Sequence, residues 1–275
     1  MLWGGLSVSI KVALGGLPPF LLAAARFLLG LITVFIWVFF SRIPLRLAPG
    51  ERRGLLLLIP LFVGQIYVLN LGTHLTLASR ATIFTCSYPL FTALLAHFTL
   101  DGDRLSVSKG IGMALSFGGV LLVFAESLAL HELSYLPGDL LSLGSGFLLG
   151  ARHVYAKHLL KDIHPGKLLF WQATLGVPCF LLLSAAFEQQ VHYVFTPEIG
   201  VAILYQGMVV AGFCFIVMTN LLRKYRASQL GTFGFATPVF GVLLSNILLA
   251  EPISAGLLAS MLLVGAGIAI VNRES

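Results

Sequence analysis

Charge is what this 275-residue sequence has least of. Asp, Glu, Lys and Arg make up 10% of its residues, against roughly one quarter in soluble domains. A chain with so little polar surface cannot cover a core in water, which excludes a water-soluble globule. Cysteine is scarce as well. Cys86, Cys179 and Cys214 all fall inside apolar runs, so no disulfide framework is expected. There is no glycine-rich phosphate loop, which excludes ATP hydrolysis by the chain itself. No His, Cys, Asp and Glu set has the spacing of metal ligands, and neither a metal nor a cofactor is expected. No charged leader precedes a cleavage site, so the first apolar span is expected to act as its own insertion signal.

What is present is apolar: 58% of residues are hydrophobic and the mean hydropathy is +0.96. Several runs reach the roughly 20 residues that a helix needs to cross a bilayer. A membrane β-barrel would instead show short alternating segments. The chain therefore reads as an all-α polytopic membrane protein with the lipid bilayer as its solvent. A net charge of +6 does not point to nucleic acid, because the basic residues sit in short loops between the runs. Ten spans are expected, at about 2–17, 18–41, 54–77, 79–100, 106–125, 138–160, 165–187, 198–222, 228–250 and 253–271. The even-numbered spans are followed by basic residues: Arg42, Arg46, Arg52 and Arg53, then Arg104 and Lys109, then Lys161 and Lys167, then Arg223, Lys224 and Arg226. The opposite loops carry almost none. By the positive-inside rule both termini are expected in the cytoplasm of a cell-membrane protein.

The sequence repeats itself. Lys11, Pro19, Arg26 and Gly30 correspond to Lys157, Pro165, Gln172 and Gly176 at an offset of 146, and residues 78–95 correspond to 227–244 at an offset of 149. Each match is weak alone; their shared order over five spans is not. The expected halves are 1–125 and 138–275, joined by an extracytoplasmic linker at 126–137. Five spans per half is an odd number, so the second half must enter the membrane inverted. Inverted repeats suit alternating access, in which two like packings exchange roles about a central site.

Three stretches carry a resemblance: "LWGGLSVSIKVALGGLPPFLLAAARFLLG" (2–30), "ASRATIFTCSYPLFTALLAHFTLDGDRLS" (78–106) and "FATPVFGVLLSNILLAEPIS" (235–254). In these the chain resembles EamA-type members of the drug/metabolite transporter superfamily. The resemblance covers nearly the whole chain. It implies ten transmembrane helices in two inverted five-helix repeats, and export or import of small metabolites whose identity varies across the family. One departure is expected to matter: the first span lacks about ten residues of its partner, which points to an internal or misassigned start at Met1.

Polar side chains inside a bilayer are costly and tend to line cavities. Counting about 1.5 Å per residue puts Arg26, Asn70, Tyr88, Tyr205 and Gln206 in one layer, with His74 above it and Gln65 below. Trp171, Gln172 and Thr237 reach the middle from the opposite end. These ten are the candidate substrate-binding residues, and no catalytic residue is expected. Arg26 suits a substrate carboxylate or phosphate, or else it is satisfied by carbonyls of neighbouring helices. Trp171 and Tyr205 offer rings for stacking, although such rings more often only pack. His74 offers a proton carrier, although a lone His near a helix end is usually just hydrogen-bonded. Pro89 and Pro238 recur at matching places and are expected to bend their helices, as hinges or cavity-shaping breaks. Arg80 is expected at the outer surface, and Lys11 and Lys157 are expected to extend toward the two interfaces. Small-residue faces (Gly138, Ser142, Gly146 and Gly150; Ser108, Gly112 and Ser116; Gly256 and Ser260) allow close packing within the chain or in a homodimer.

The expected function is a secondary transporter for a small polar metabolite, amino-acid-like or otherwise anionic or zwitterionic, by alternating access, with export favoured. A channel-like permease is the alternative. An intramembrane enzyme is a weaker one, since Ser145 and His153 lack a carboxylate to complete a triad.

Overall fold

Proline and glycine set the helix boundaries. The computed structural model describes residues 2–100, 106–129, 133–189, 193–227, 230 and 236–273. Helix α1 (Leu6–Ala13) lies between the pairs Gly4–Gly5 and Gly15–Gly16, so the expected span 2–17 is helical over only eight residues. Glycine lowers helix propensity by about 1 kcal/mol each, enough to stop so short a segment. Helices α2 (Pro19–Phe40) and α3 (Pro49–Leu75) each begin on a proline, whose missing N–H is no loss in a first turn. The fourth span is broken into α4 (Ala78–Thr85) and α5 (Tyr88–Thr99), and α6 (Val107–Ala129) closes the first half.

The second half runs through α7 (Leu136–Leu159), α8 (Pro165–Phe187) and α9 (Pro197–Leu204). A π-helical segment, Tyr205–Cys214, then leads into α10 (Phe215–Lys224). Helices α11 (Ala236–Leu249) and α12 (Ala255–Arg273) complete it. No strand occurs among the described residues. The protein is all-α, with ten membrane spans in two inverted five-helix repeats; among the described residues, five helical stretches are long and apolar enough to cross a bilayer on length and composition alone.

Equivalent spans of the two halves face each other. Helix α2 packs on α8, α4 on α11, and α6 on α12, while α3 packs on α7 and α1 on α9. The inverted symmetry extends to single hydrogen bonds. Lys11 Nζ donates to the carbonyls of Thr73, His74 and Thr76 at 3.2, 2.8 and 2.5 Å. Lys157 Nζ donates to those of Leu222, Arg223 and Tyr225 at 2.7, 3.3 and 2.8 Å. The lysines differ by 146 in number (157 − 11) and each acceptor pair by 149 (222 − 73, 223 − 74, 225 − 76). Neither lysine simply reaches for an interface, as the sequence suggested. The last carbonyls of α3 and α10 lack intrahelical donors, and each ammonium supplies them.

The small-residue faces pack within the chain. A side chain at Gly138 would meet Leu75 C and Thr76 N at 2.6 Å, and one at Gly150 would meet Phe91 Cβ and Thr92 N at 2.9 Å. A Cβ on Gly267 of α12 would overlap Ser116 Oγ and Gly112 O of α6.

Three carboxylates of the second half hold the first half at the end away from the basic loops. Glu188 accepts from the N–H groups of Phe20 and Leu21 at 2.7 and 3.1 Å, at the start of α2. Glu251 accepts from the N–H groups of Ala78 and Ser79 at 2.7 and 2.9 Å and from the Ser79 hydroxyl at 2.6 Å, at the start of α4. Asp139 accepts from Thr76 Oγ1 at 2.6 Å and pairs with Arg80. Arg80 is therefore not at the outer surface as expected: it is 4% exposed, beside a fully buried Asp139, and also donates to the Val123 carbonyl at 3.3 Å. Its position early in an apolar helix resembles a surface position in one dimension; the partner 59 residues away is what allows burial.

Removing one partner of a buried pair strands the other, at about 3–5 kcal/mol. Asp139→Ala is expected to lower the thermal unfolding temperature of the detergent-solubilised protein markedly. The double variant Arg80→Met/Asp139→Leu should recover part of that loss. A single variant that melts with the wild type would show that the pair contributes nothing.

Candidate functional site

A central cavity of about 110 Å³ lies where the halves meet. Its lining follows the repeat. Arg26 and Gln172, Leu6 and Arg152, and Ser7 and His153 are wall residues separated by 146, while Leu69 and Met218, and Tyr88 and Thr237, are separated by 149. The same positions of both halves thus build opposite walls, although the residue types differ.

Two of these side chains are cations. Arg26 stands seven residues into α2 (26 − 19), and Arg152 seven residues before the end of α7 (159 − 152). Those helix ends belong to opposite ends of the protein, so each guanidinium sits about 10 Å in from its own side. The neighbourhood that places Arg26 is tight: a Cβ on Gly207 of the π segment would meet the Arg26 carbonyl at 2.9 Å, and one on Gly30 would meet Ala211 Cβ at 2.9 Å. Arg26 is 2% exposed and Arg152 6%. Arg26 Nε and Nη2, and Arg152 Nη1, are buried without a hydrogen-bond partner.

Aromatic faces supply part of the compensation. Arg26 Cζ lies 4.8 Å from the Phe27 ring centre; Arg152 Cζ lies 5.2 Å from Phe215 and 5.5 Å from Phe62. A cation–π contact contributes about 0.5–2 kcal/mol, whereas desolvating an ion costs several kcal/mol. The site is thus under-compensated. No carboxylate among the described residues lines the cavity. Among the described residues Glu51 is engaged by Lys167 at 3.0 Å, Asp139 by Arg80, and Glu188 and Glu251 by backbone N–H groups.

Neutral polar groups complete the wall. Gln65 donates through Nε2 to Ser145 Oγ at 3.1 Å, leaving its buried Oε1 unpartnered; Thr85 Oγ1 is unpartnered too. Tyr88 meets His153 edge-to-face, with ring centres 5.2 Å apart. The Ser145 hydroxyl is thus engaged with Gln65.

Of the ten candidates, Arg26, Gln65, Tyr88, Gln172 and Thr237 line the cavity, and five do not. Asn70 is buried and donates to the Pro19 carbonyl at 2.8 Å. Trp171 donates to the Leu45 carbonyl at 2.8 Å, tying α8 to the loop after α2. The Tyr205 hydroxyl donates to the Leu2 carbonyl. Gln206 is fully buried with both amide atoms unpartnered, away from the cavity. His74 is exposed at the end of α3, where its carbonyl receives Lys11. Position along a helix follows from the sequence alone; the face of the helix does not.

Pro89 is the second residue of α5, immediately after the break at Cys86–Ser87, and Pro238 is the third of α11. The stretch before α11, residues 228, 229 and 231–235, lies outside the described residues. The residue ahead of each proline, Tyr88 or Thr237, faces the cavity. Sequence reasoning missed Arg152 as a site residue and weighed His153 only for hydrolysis. A signal existed: Arg152 is as far from its own end of the membrane as Arg26. The surrounding "ARHVYAKH" reads instead as an interfacial basic cluster.

An inverted ten-span membrane protein with a central, mostly apolar cavity that carries two guanidinium groups between its halves has the architecture of a carrier. The chain matches the EamA-like transporter family over residues 1–125 and 136–273, and it belongs to that family. It is 24% identical to the uncharacterized transporter YoaV of Bacillus subtilis (strain 168), over 98% of this chain and 92% of that one. It is 26% identical to a probable amino-acid metabolite efflux pump of Escherichia coli (strain K12), over 91% and 84%. A solved crystal structure shares the fold at a TM-score of 0.75 and 22% identity, covering 99% of this chain and 93% of the other.

Cys86 lines the cavity and reports its charge. In a Cys179→Ser/Cys214→Ser background, an anionic methanethiosulfonate should modify Cys86 faster than a cationic one, after correction for intrinsic reactivity, because a positive cleft concentrates anions. Arg26→Gln should narrow the difference. Equal corrected rates would mean that the arginines are neutralised by something else.

Proposed function

We propose that this membrane transporter moves a small anionic or zwitterionic metabolite, amino-acid-like in size, by alternating access, and that it works as an exporter in the cell membrane with both termini in the cytoplasm. The observation that carries the reading is the pair of buried guanidinium groups, Arg26 and Arg152, facing a cavity in which no described residue supplies a carboxylate to neutralise them. A carboxylate arriving there gains charge-assisted hydrogen bonds in a site already stripped of water. Unpartnered Gln65 Oε1 and Thr85 Oγ1 add an acceptor and a hydroxyl for an ammonium or hydroxyl group of the solute. The repeat supports alternating access, because equivalent residues wall the cavity from both halves. The efflux role named for the Escherichia coli relative supports the direction, and the basic loops support the orientation.

Counterflow in proteoliposomes tests this. A panel of labelled amino acids and short carboxylic acids should include at least one solute that exchanges saturably. Arg26→Ala, with monodispersity and melting retained, should reduce that exchange roughly ten- to a hundredfold, the worth of a hydrogen bond to a charged group. Unchanged kinetics in the variant, or no exchange of any panel member, would overturn the reading.

A further inference from the structure

We propose that the preferred solute is a dianion, with one negative charge held by Arg26 and the other by Arg152; this rests on the anion-binding reading of the same cavity. Charge arithmetic motivates it. A zwitterion leaves both guanidinium charges uncompensated and a monocarboxylate leaves one. Only two negative charges neutralise the wall, and the described lining residues supply none. Unbalanced charge is strongly disfavoured in low dielectric, so charge matching outweighs the weaker contacts available to the rest of the solute.

Geometry allows a single small molecule to meet both groups. Arg26 lies over Phe27 at 4.8 Å, Phe27 and Phe62 rings are 4.7 Å apart, and Arg152 lies 5.5 Å from Phe62. Laid end to end, those steps bring the two Cζ atoms within about 15 Å of each other. Within that ceiling, a short separation suits a phosphate monoester held by both forks, and a longer one suits a short chain with a carboxylate at each end. Both are small doubly charged solutes. The two arginines come from opposite halves, α2 and α7, so such a solute would also bridge the repeat. A monoanion engages only one half.

The test compares dianions with singly charged analogues on purified, full-length protein. Succinate and glutarate are set against their monomethyl esters, and glycerol phosphate against dimethyl phosphate, reading both thermal stabilisation in detergent and competition of counterflow. In whichever arm binds, the dianion should be roughly ten- to a hundredfold stronger than its analogue. Arg152→Gln should bring the dianion down to the level of its singly charged analogue, and Arg152→Lys should keep part of the preference. A preference confined to the phosphate arm identifies a phosphate ester; one confined to the carboxylate arm identifies a diacid. Analogues that bind as well as dianions, or dianions of both arms that fail to bind wild-type protein, would overturn the proposal. If monoanions or zwitterions exchange in an Arg26-dependent way without a dianion preference, the dianion proposal alone falls. If Arg26→Ala changes nothing, the anion site falls with it.

Discussion

Water is missing from the interior of a bilayer, so a charge or a helix end there is costly unless another part of the chain or a bound solute answers it. The three seam carboxylates are where this constraint organises the molecule. Asp139, Glu188 and Glu251 come from one half and answer an arginine and two helix N-termini of the other. Each carboxylate would be costly alone, and so would each N-terminus; together they are a reason for the halves to stay together at that end. Burial of apolar surface cannot do this as selectively, because lipid tails are as apolar as leucine.

The repeat and its chemistry obey different rules. Scaffold features are duplicated closely: the two lysines bind the same three carbonyl positions of their partner helices, and the prolines follow equivalent wall residues. The charges are not. Arg26 has Gln172 as its counterpart, and Arg152 has Leu6. Duplication preserved what closes helices and bends them, while the cavity's recognition groups diverged.

This division explains what could be read without coordinates. Span positions, the inverted halves and a disturbance of the fourth span near Pro89 follow from hydropathy, parity and backbone chemistry, which are local properties. So does the depth of Arg26 and Gln172. The orientation of a side chain around its helix depends on which neighbours pack there, and depth alone assigned Asn70, Trp171 and Tyr205 to a layer whose hydrogen bonds turn out to be structural. Arg80 was misplaced for a related reason, since only a long-range partner makes its burial affordable. Arg152 was concealed by the polar residues around it.

The cavity also has an electrical consequence. Two positive charges with no counter-ion among the described residues lie inside the membrane's field, on helices of opposite halves. Any rearrangement that carries them through part of that field does work, about 2.3 kcal/mol per charge for a full crossing at 100 mV. An anion held between them cancels that work in proportion to its own charge. The empty and the occupied protein therefore feel the membrane voltage differently, and an empty cavity is the more voltage-sensitive of the two.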